Sequence, residues 1–245
     1  MLKCNLVIDS GNTLTKLAVF NKNQLVYLVK SSDKELFVNL ENLFQLYNIC
    51  NCISSSVSDE DFIFLKKNYP NLNFIELNYK LNLPFNNKYS TPQTLGVDRI
   101  ALAAAGSKNY KGKNVFIIDA GSCITYDFLN SNNEYLGGSI SPGIQMRYQS
   151  LNSFTAKLPL LNKEFPISII GDSTNSSIHS GICLGVVKEI EGVINEFSNI
   201  YQDLVVLLTG GDAIFLSKRL KNSIFVDQNF VLKGLNYILD ININQ

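Results

Sequence analysis

The chain is poor in histidine: His179 is the only one in 245 residues. A Ser-His-Asp or Cys-His hydrolase would have to depend on that single imidazole. It lies in Ser177–Gly181, inside a helical pattern and away from any nucleophile elbow. We therefore expect a histidine on a helix surface, and the scarcity argues against a histidine-based metal site. Excess charge is also absent, because 21 Lys plus Arg balance 21 Asp plus Glu. Without a basic face or a run of like charge, no nucleic-acid partner is expected. No apolar stretch approaches the roughly 20 residues of a membrane span. The run between Lys3 and Asp9 is too short for a signal peptide, so no membrane partner is expected and the expected location is cytoplasmic. Five cysteines, Cys4, Cys50, Cys52, Cys123 and Cys183, make an odd count with apolar neighbours. That suits reduced core thiols in a reducing compartment. Cys50-Asn51-Cys52 has neither zinc nor thioredoxin spacing. A P-loop is missing too. Gly106 to Asn114 resembles one, but its glycines are one position too far apart, Asn114 replaces the Ser/Thr, and the stretch precedes a strand.

What the chain does contain is a stretch that occurs twice. Leu6-Val7-Ile8-Asp9-Ser10-Gly11-Asn12-Thr13-Leu14-Thr15-Lys16 reads as strand, tight turn and strand. Gly11 lets backbone N–H groups approach an anion, Asn12, Thr13 and Thr15 add short donors, and Lys16 adds a full charge. The pattern returns as Ile118-Asp119-Ala120-Gly121-Ser122-Cys123-Ile124-Thr125. Asp9 aligns with Asp119, Gly11 with Gly121, Asn12 with Ser122 and Thr15 with Thr125. Two ordinary hairpins would also explain it. The repeated Asp-x-Gly-polar pattern at one strand phase favours two half-domains offering phosphate turns to a shared cleft.

Periodicity supports that division. The first half reads βββαβαβ, with helices over Glu35–Tyr47 and Phe62–Tyr69, an α/β order. Gly96 to Gly106 follows as a small-residue helix, and Ser107 to Asn114 is the best boundary. Half-domains of 1–112 and 113–245 are expected. The second half starts again with strands at 115–118, 124–129 and 135–140. A helix runs to Leu151, a long helix spans Asn175 to Tyr201, and a last one spans Phe230 to Leu239.

Leu95-Gly96-Val97-Asp98-Arg99 enters a helix from a loop. Asp98 can accept a proton from a hydroxyl, and Arg99 can clamp a carboxylate or phosphate. The same pair would also suit a plain helix start with a solvated arginine. Gly137-Gly138-Ser139-Ile140-Ser141-Pro142-Gly143 and Thr209-Gly210-Gly211-Asp212-Ala213 are turns that a ligand could approach closely.

Taken in order, Asp9-x-Gly-Asn-Thr-x-x-Lys16, Tyr89-x-x-Pro92, Gly96-x-Asp98-Arg99, Asp119-x-Gly-Ser122, Gly137-Gly138-x-Ile140-x-Pro142-Gly143, Gly171-x-x-Thr174 and Thr209-Gly-Gly resemble the type III pantothenate kinases. These belong to the acetate and sugar kinase/Hsp70/actin superfamily. The resemblance covers nearly the whole chain. It departs at Ser122-Cys123, where the family usually has Thr-Ala, and the hydroxyl is kept. It implies two similar ribonuclease H-like (actin-like ATPase) half-domains of α/β class around a nucleotide cleft. The implied activity is ATP-dependent phosphorylation of pantothenate, the first step of coenzyme A synthesis. By the same resemblance Asp9, Ser10, Gly11, Asn12, Thr13, Leu14, Thr15, Lys16 and Ser122 bind ATP. Tyr89, Gly96, Val97, Asp98, Arg99 and Thr174 bind pantothenate, with Asp98 as the proton acceptor. Asp119 binds a monovalent cation, potassium or ammonium, and magnesium is also required. A homodimer is implied in which Thr174 reaches the partner's pantothenate. Gly181 and Gly185, four apart on the long helix, would let a second helix approach. Two alternatives stand beside this reading: a kinase of the same fold acting on another small hydroxy compound, and a non-catalytic nucleotide-binding accessory or regulatory protein.

Overall fold

Strand β1 (Lys3–Ser10) is apolar on both faces, and Leu6, Val7 and Ile8 are buried. A strand of that composition belongs in the middle of a sheet. It pairs antiparallel with β2 (Thr15–Asn21) and parallel with β4 (Asn48–Ser54). With β3 (Gln24–Ser31) and β5 (Asn73–Glu76) they form a sheet ordered β3-β2-β1-β4-β5. The computed structural model describes residues 2–11, 14–56 and 58–243, without the side chain of Asp59. Asn12 and Thr13, both assigned to the first phosphate turn, lie outside the described residues.

Helices α1 (Leu36–Leu46) and α2 (Asp59–Asn68) cross between the strands of this sheet. Ser58 caps α2 by accepting from the Asp61 N–H at 3.1 Å, meeting a donor that the helix start leaves unsatisfied. Leu36, Leu40 and Leu43 of α1 recur at helical spacing and are buried with Leu6, Leu17 and Leu65. The predicted βββαβαβ order is the one observed.

After the short strand β6 (Asn86–Asn87) comes α3 (Val97–Asn109). Its run from Arg99 to Ser107 is buried, as the small-residue composition predicts. The last helix, α8 (Phe230–Ile243), lies against it. Gly234 sits on the Ala101 carbonyl so closely that a Cβ would overlap it. A chain of amides ties α8 to the sheet. Asn73 donates to Asn51, Asn51 to Asn5, and Asn5 to both Asn236 and Asp240, at 2.8–3.0 Å.

The second unit repeats the design. Strand β7 (Val115–Ala120) pairs antiparallel with β8 (Cys123–Leu129) and parallel with β10 (Val205–Thr209). With β9 (Glu134–Pro142), β11 (Phe225–Val226) and the short β6 at the edge the order is β6-β9-β8-β7-β10-β11, whose last five strands repeat the first sheet's pattern. Helix α4 (Ile144–Ser153) follows β9. The expected long helix is continuous in path but has three parts. These are α5 (Thr174–His179), a wide π turn at Ser180–Leu184, and α6 (Gly185–Ile200). Helix α7 (Ala213–Ser217) joins β10 to β11.

The division falls at the expected connector, but the partition differs from 1–112 and 113–245. The first unit comprises 1–111, 133–135 and 229–245, and the second 112–132 and 136–228. The last helix thus belongs with the first unit, because its apolar face and Gly234 fit α3 and the amide chain. Strand pairing explains the short piece: Glu134 and Tyr135 pair with Asn86 and Asn87. All five cysteines are free, as expected. Among the described residues no helix is long and apolar enough to cross a membrane.

Candidate functional site

Two groups of predicted residues lie in the first unit. At the end of β1, the Lys16 Nζ stands 3.2 Å from Asp9 Oδ2, because the two residues face each other across the hairpin. The end of β4 supports this turn. Ser55 Oγ donates to Asp9 Oδ1 at 3.4 Å and accepts from the Ser10 N–H at 3.0 Å. The Gly11 N–H donates to the Leu14 carbonyl at 3.3 Å. Ser10, Gly11 and Thr15 border a recess of about 450 Å³, with Asp33, Ser58 and Asp61 on its other side. Backbone and hydroxyls of the turn thus border this recess together with the carboxylates of Asp33, Glu60 and Asp61, while Lys16 is held against Asp9. Ser55 and Ser56 were not singled out from the sequence. The apolar strand Ile49–Ser54 leading into them was the only signal.

The second group sits where α3 begins. Gly96 is the N-cap, and a Cβ there would lie 2.5 Å from Asp98 Oδ1, so a side chain at this position would have to displace that carboxylate. Asp98 is exposed in the first turn and accepts from the Arg99 N–H at 2.8 Å. Val97 is half-buried. Arg99 is not the solvated arginine of a plain helix start: it is only 4% exposed. Its guanidinium lies 5.6 Å from the centre of the Tyr89 ring, a cation–π distance. Tyr89, Gly96, Val97, Asp98 and Arg99 are therefore brought together. A carboxylate open to solvent and a buried guanidinium against an aromatic ring suit a ligand carrying a hydroxyl and an anionic group.

In the second unit the repeated turn is built differently. Asp119 ends β7, half-buried, and faces Thr209 of β10 and Thr125 of β8 in register. Gly210 has φ +95°, and a Cβ there would overlap Asp119 Oδ1 and the Ala120 carbonyl. Only glycine lets the β10 turn close on that carboxylate. Asp212 joins the same turn, with its N–H donating to the Ala120 carbonyl at 2.9 Å and its carboxylate ion-paired to Lys163. Ser122 is exposed at the tip. The Gly143 N–H donates to the Ser122 carbonyl at 3.1 Å, and a Cβ on Gly143 would overlap that oxygen. The turns at 137–143 and 209–213 therefore both pack on the Asp119–Ser122 hairpin.

Thr174 lies elsewhere in this unit, exposed at the start of α5. It borders an open groove of about 800 Å³, along with Arg147, Leu158, Gly171, Ile178 and Gly181. Ser173 and Ser176 cap the helix reciprocally. Gly171 allows the incoming chain to touch Ser177, since a Cβ would overlap the Ser177 N. Five positions after Thr174, His179 differs from the expected surface residue. It is half-buried, with its Nδ1 2.7 Å from the Tyr148 hydroxyl. Burial raises the pKa of Tyr148, so that hydroxyl stays protonated.

Along the long helix Ile178, Ile182, Val186, Ile190 and Ile194 are all buried inside the unit. Exposed apolar surface lies instead on the preceding segment, at Phe154, Leu160, Ile167, Ile169 and Ile170.

The family model described as type III pantothenate kinase matches residues 5–196. A type III pantothenate kinase of Christiangramia forsetii is 49% identical over 98% of this chain and 100% of its own. Another, from Flavobacterium johnsoniae, is 43% identical over 94% and 95%. Among solved structures, a Campylobacter jejuni chain described as a Baf family transcriptional activator superposes with a TM-score of 0.60. It is 25% identical, over 98% of this chain and 100% of that one. A Streptomyces griseus ROK family glucokinase, solved with glucose and AMPPNP, gives a TM-score of 0.51 at 10% identity, covering 99% of this chain and 100% of its own. That last likeness shows the two-sheet α/β fold alone.

Proposed function

Because the chain belongs to the type III pantothenate kinase family and so phosphorylates pantothenate with ATP, opening coenzyme A synthesis, we propose the following division of labour among its residues. Asp98 is the general base. It is an exposed carboxylate at a helix start that accepts from the backbone N–H of Arg99, the next residue, whose side chain is buried against Tyr89. That juxtaposition is the observation that carries the assignment. Arg99 takes the pantothenate carboxylate with Tyr89 against it, and Gly96 and Val97 line the approach. The hydroxyl of pantothenate then gives its proton to Asp98 as it attacks the γ-phosphorus of ATP, and ADP leaves. Phosphoryl transfer asks mostly for alignment and charge neutralisation.

In the first unit, Asp9, Ser10, Gly11, Leu14, Thr15 and Lys16 take the phosphates of ATP. Asn12 and Thr13 are proposed for the same role on sequence alone. In the second, Ser122 presents its hydroxyl to a phosphate, and Asp119 holds potassium or ammonium. The residues present fit that ion: the Asp119 carboxylate stands beside the backbone of the close-packed Gly210 turn, and its cross-strand neighbour is the neutral Thr125. A cation there adds fixed positive charge near the phosphates, and magnesium accompanies ATP itself.

Thr174 is proposed to complete the pantothenate site of a second copy of the chain. The exposed apolar segment from Phe154 to Ile170 beside the groove supports this, and Gly181 and Gly185 both face open space. A coupled assay with ATP, magnesium, potassium and pantothenate tests the substrate, and turnover of another hydroxy compound in place of pantothenate would overturn it. For the shared site, Asp98→Ala and Thr174→Val subunits, each inactive, are refolded together. A mixed dimer with shared sites has one intact site and regains activity. No recovery, with mixed dimers shown to be present, would place Thr174 in its own subunit's site.

A further inference from the structure

Arg147 was not singled out by its sequence, and neither was Glu189, 42 positions later. In the structure they meet behind the Ser122 turn. The Arg147 Nη2 lies 2.5 Å from Glu189 Oε2 and also donates to Ser141 Oγ at 2.9 Å. Its Nε donates to the Pro142 carbonyl at 2.9 Å. From β8, the Tyr126 hydroxyl donates to the other carboxylate oxygen of Glu189 at 2.8 Å. Arg147 and Glu189 are both half-buried. Burial alone would raise the pKa of Glu189. Hydrogen bonds from Arg147, Ser141 and Tyr126 outweigh it and hold the carboxyl below its ordinary value, so it is charged.

The guanidinium therefore uses its fork on three acceptors of different origin: a strand-end hydroxyl, a turn carbonyl and a helix carboxylate. Two of these belong to Ser141 and Pro142, which immediately precede Gly143. Gly143 in turn packs on the Ser122 carbonyl with no room for a side-chain atom. A shift of the 141–143 turn must therefore move the backbone that presents Ser122.

We propose that Arg147, anchored by Glu189 and Tyr126, is a positioning residue that sets the Ser122 turn for the phosphates of ATP. The proposal rests on Ser122 contacting those phosphates. Arg147 touches neither substrate in this role. It fixes where the Ser122 hydroxyl and its neighbouring N–H groups stand. Since Arg147 also borders the groove at Thr174, the same side chain joins that groove to the phosphate turn.

The test compares Arg147→Met with the double variant Arg147→Met/Glu189→Met in the full-length protein. Three quantities are read: melting temperature, ATP affinity by calorimetry without pantothenate, and kcat and KM for ATP with pantothenate. The single variant leaves Glu189 uncompensated, so it loses both stability and function. The double variant removes the charge pair for two apolar side chains, so most of the stability returns. Because a small displacement of a positioning group can cost up to ~100-fold in rate, kcat/KM for ATP should stay about tenfold or more below wild type in both variants. Adding Ser122→Ala to the double variant should cost far less than Ser122→Ala costs the wild type, because the two act through one turn. The proposal is overturned if the double variant recovers ATP affinity and turnover together with stability, or if the Ser122→Ala loss is unchanged. A wild-type protein that binds ATP but leaves pantothenate unphosphorylated would refute the substrate assignment instead. The calorimetric comparison would still decide the role of Arg147.

Discussion

The two hairpins that end in Asp9 and Asp119 align residue for residue in sequence, yet they are not the same turn. In the first, Ser10 pairs with Thr15 and Asp9 with Lys16. In the second, Ala120 pairs with Ile124 and Asp119 with Thr125. The second hairpin is one residue tighter, so Thr15 and Thr125 occupy different places in the ladder although they match in sequence. A slip of one residue changes which side chain faces the carboxylate. Asp9 thereby meets a lysine ammonium at 3.2 Å. Asp119 meets a threonine, whose hydroxyl is given to Asp127 at 3.0 Å. One scaffold has two electrostatic outcomes. In our proposal the first turn offers Lys16 to the phosphates and the second holds a monovalent cation at Asp119.

The largest effect should come from outside both turns. If the turns only hold and neutralise the nucleotide, then Asp98→Asn must stop transfer while leaving them occupied. General-base removal costs about 10²–10⁴-fold in rate, so turnover should fall by that factor with ATP affinity nearly unchanged. Wild-type turnover in a folded Asp98→Asn protein would remove Asp98 from the mechanism.

Next comes Lys16→Ala, which strips the first turn of its built-in charge. A hydrogen bond to a charged group contributes about 1.5–3 kcal/mol, so KM for ATP should rise by roughly ten- to a hundredfold, and added potassium should not restore it. Rescue by potassium would mean that the two turns are interchangeable.

Smaller still are changes to the glycines. Gly210→Ala forces a side chain into φ +95° and against Asp119. Strain of that kind costs about 1–3 kcal/mol, and thermal unfolding should register it. At Gly11 an added Cβ meets, among the described residues, the Leu14 carbonyl at 3.1 Å. Gly11→Ala should therefore cost less in melting temperature than Gly210→Ala. The reverse order would show that the first turn is the tighter of the two.

The repeat itself was legible, because an apolar strand ending in Asp-x-Gly followed by a small polar residue is a local signal. The mirrored sheet orders, β3-β2-β1-β4-β5 and β9-β8-β7-β10-β11, agree with the two half-domains it implied. Asp98 and Arg99 were legible as a helix start, but their burial was not: the sequence alone left Arg99 open to solvent. Register escaped notice, since it depends on turn length rather than on the residues that align. So did the return of α8 to the first unit, which follows from its fit to α3 at Gly234 and Ala101. The Arg147–Glu189 pair left no local trace, because its partners come from separate elements.

The most direct test of the difference between the two turns is a salt titration. Wild type, Lys16→Ala and Asp119→Ala are assayed with ATP, magnesium and pantothenate in potassium, ammonium, sodium and lithium salts at constant ionic strength. The account predicts that wild-type activity rises with potassium or ammonium and stays weak in sodium or lithium. Lys16→Ala should keep that dependence at a lower level, and Asp119→Ala should lose it. A wild-type enzyme equally active in all four salts, or an Asp119→Ala protein that still responds to potassium, would contradict it.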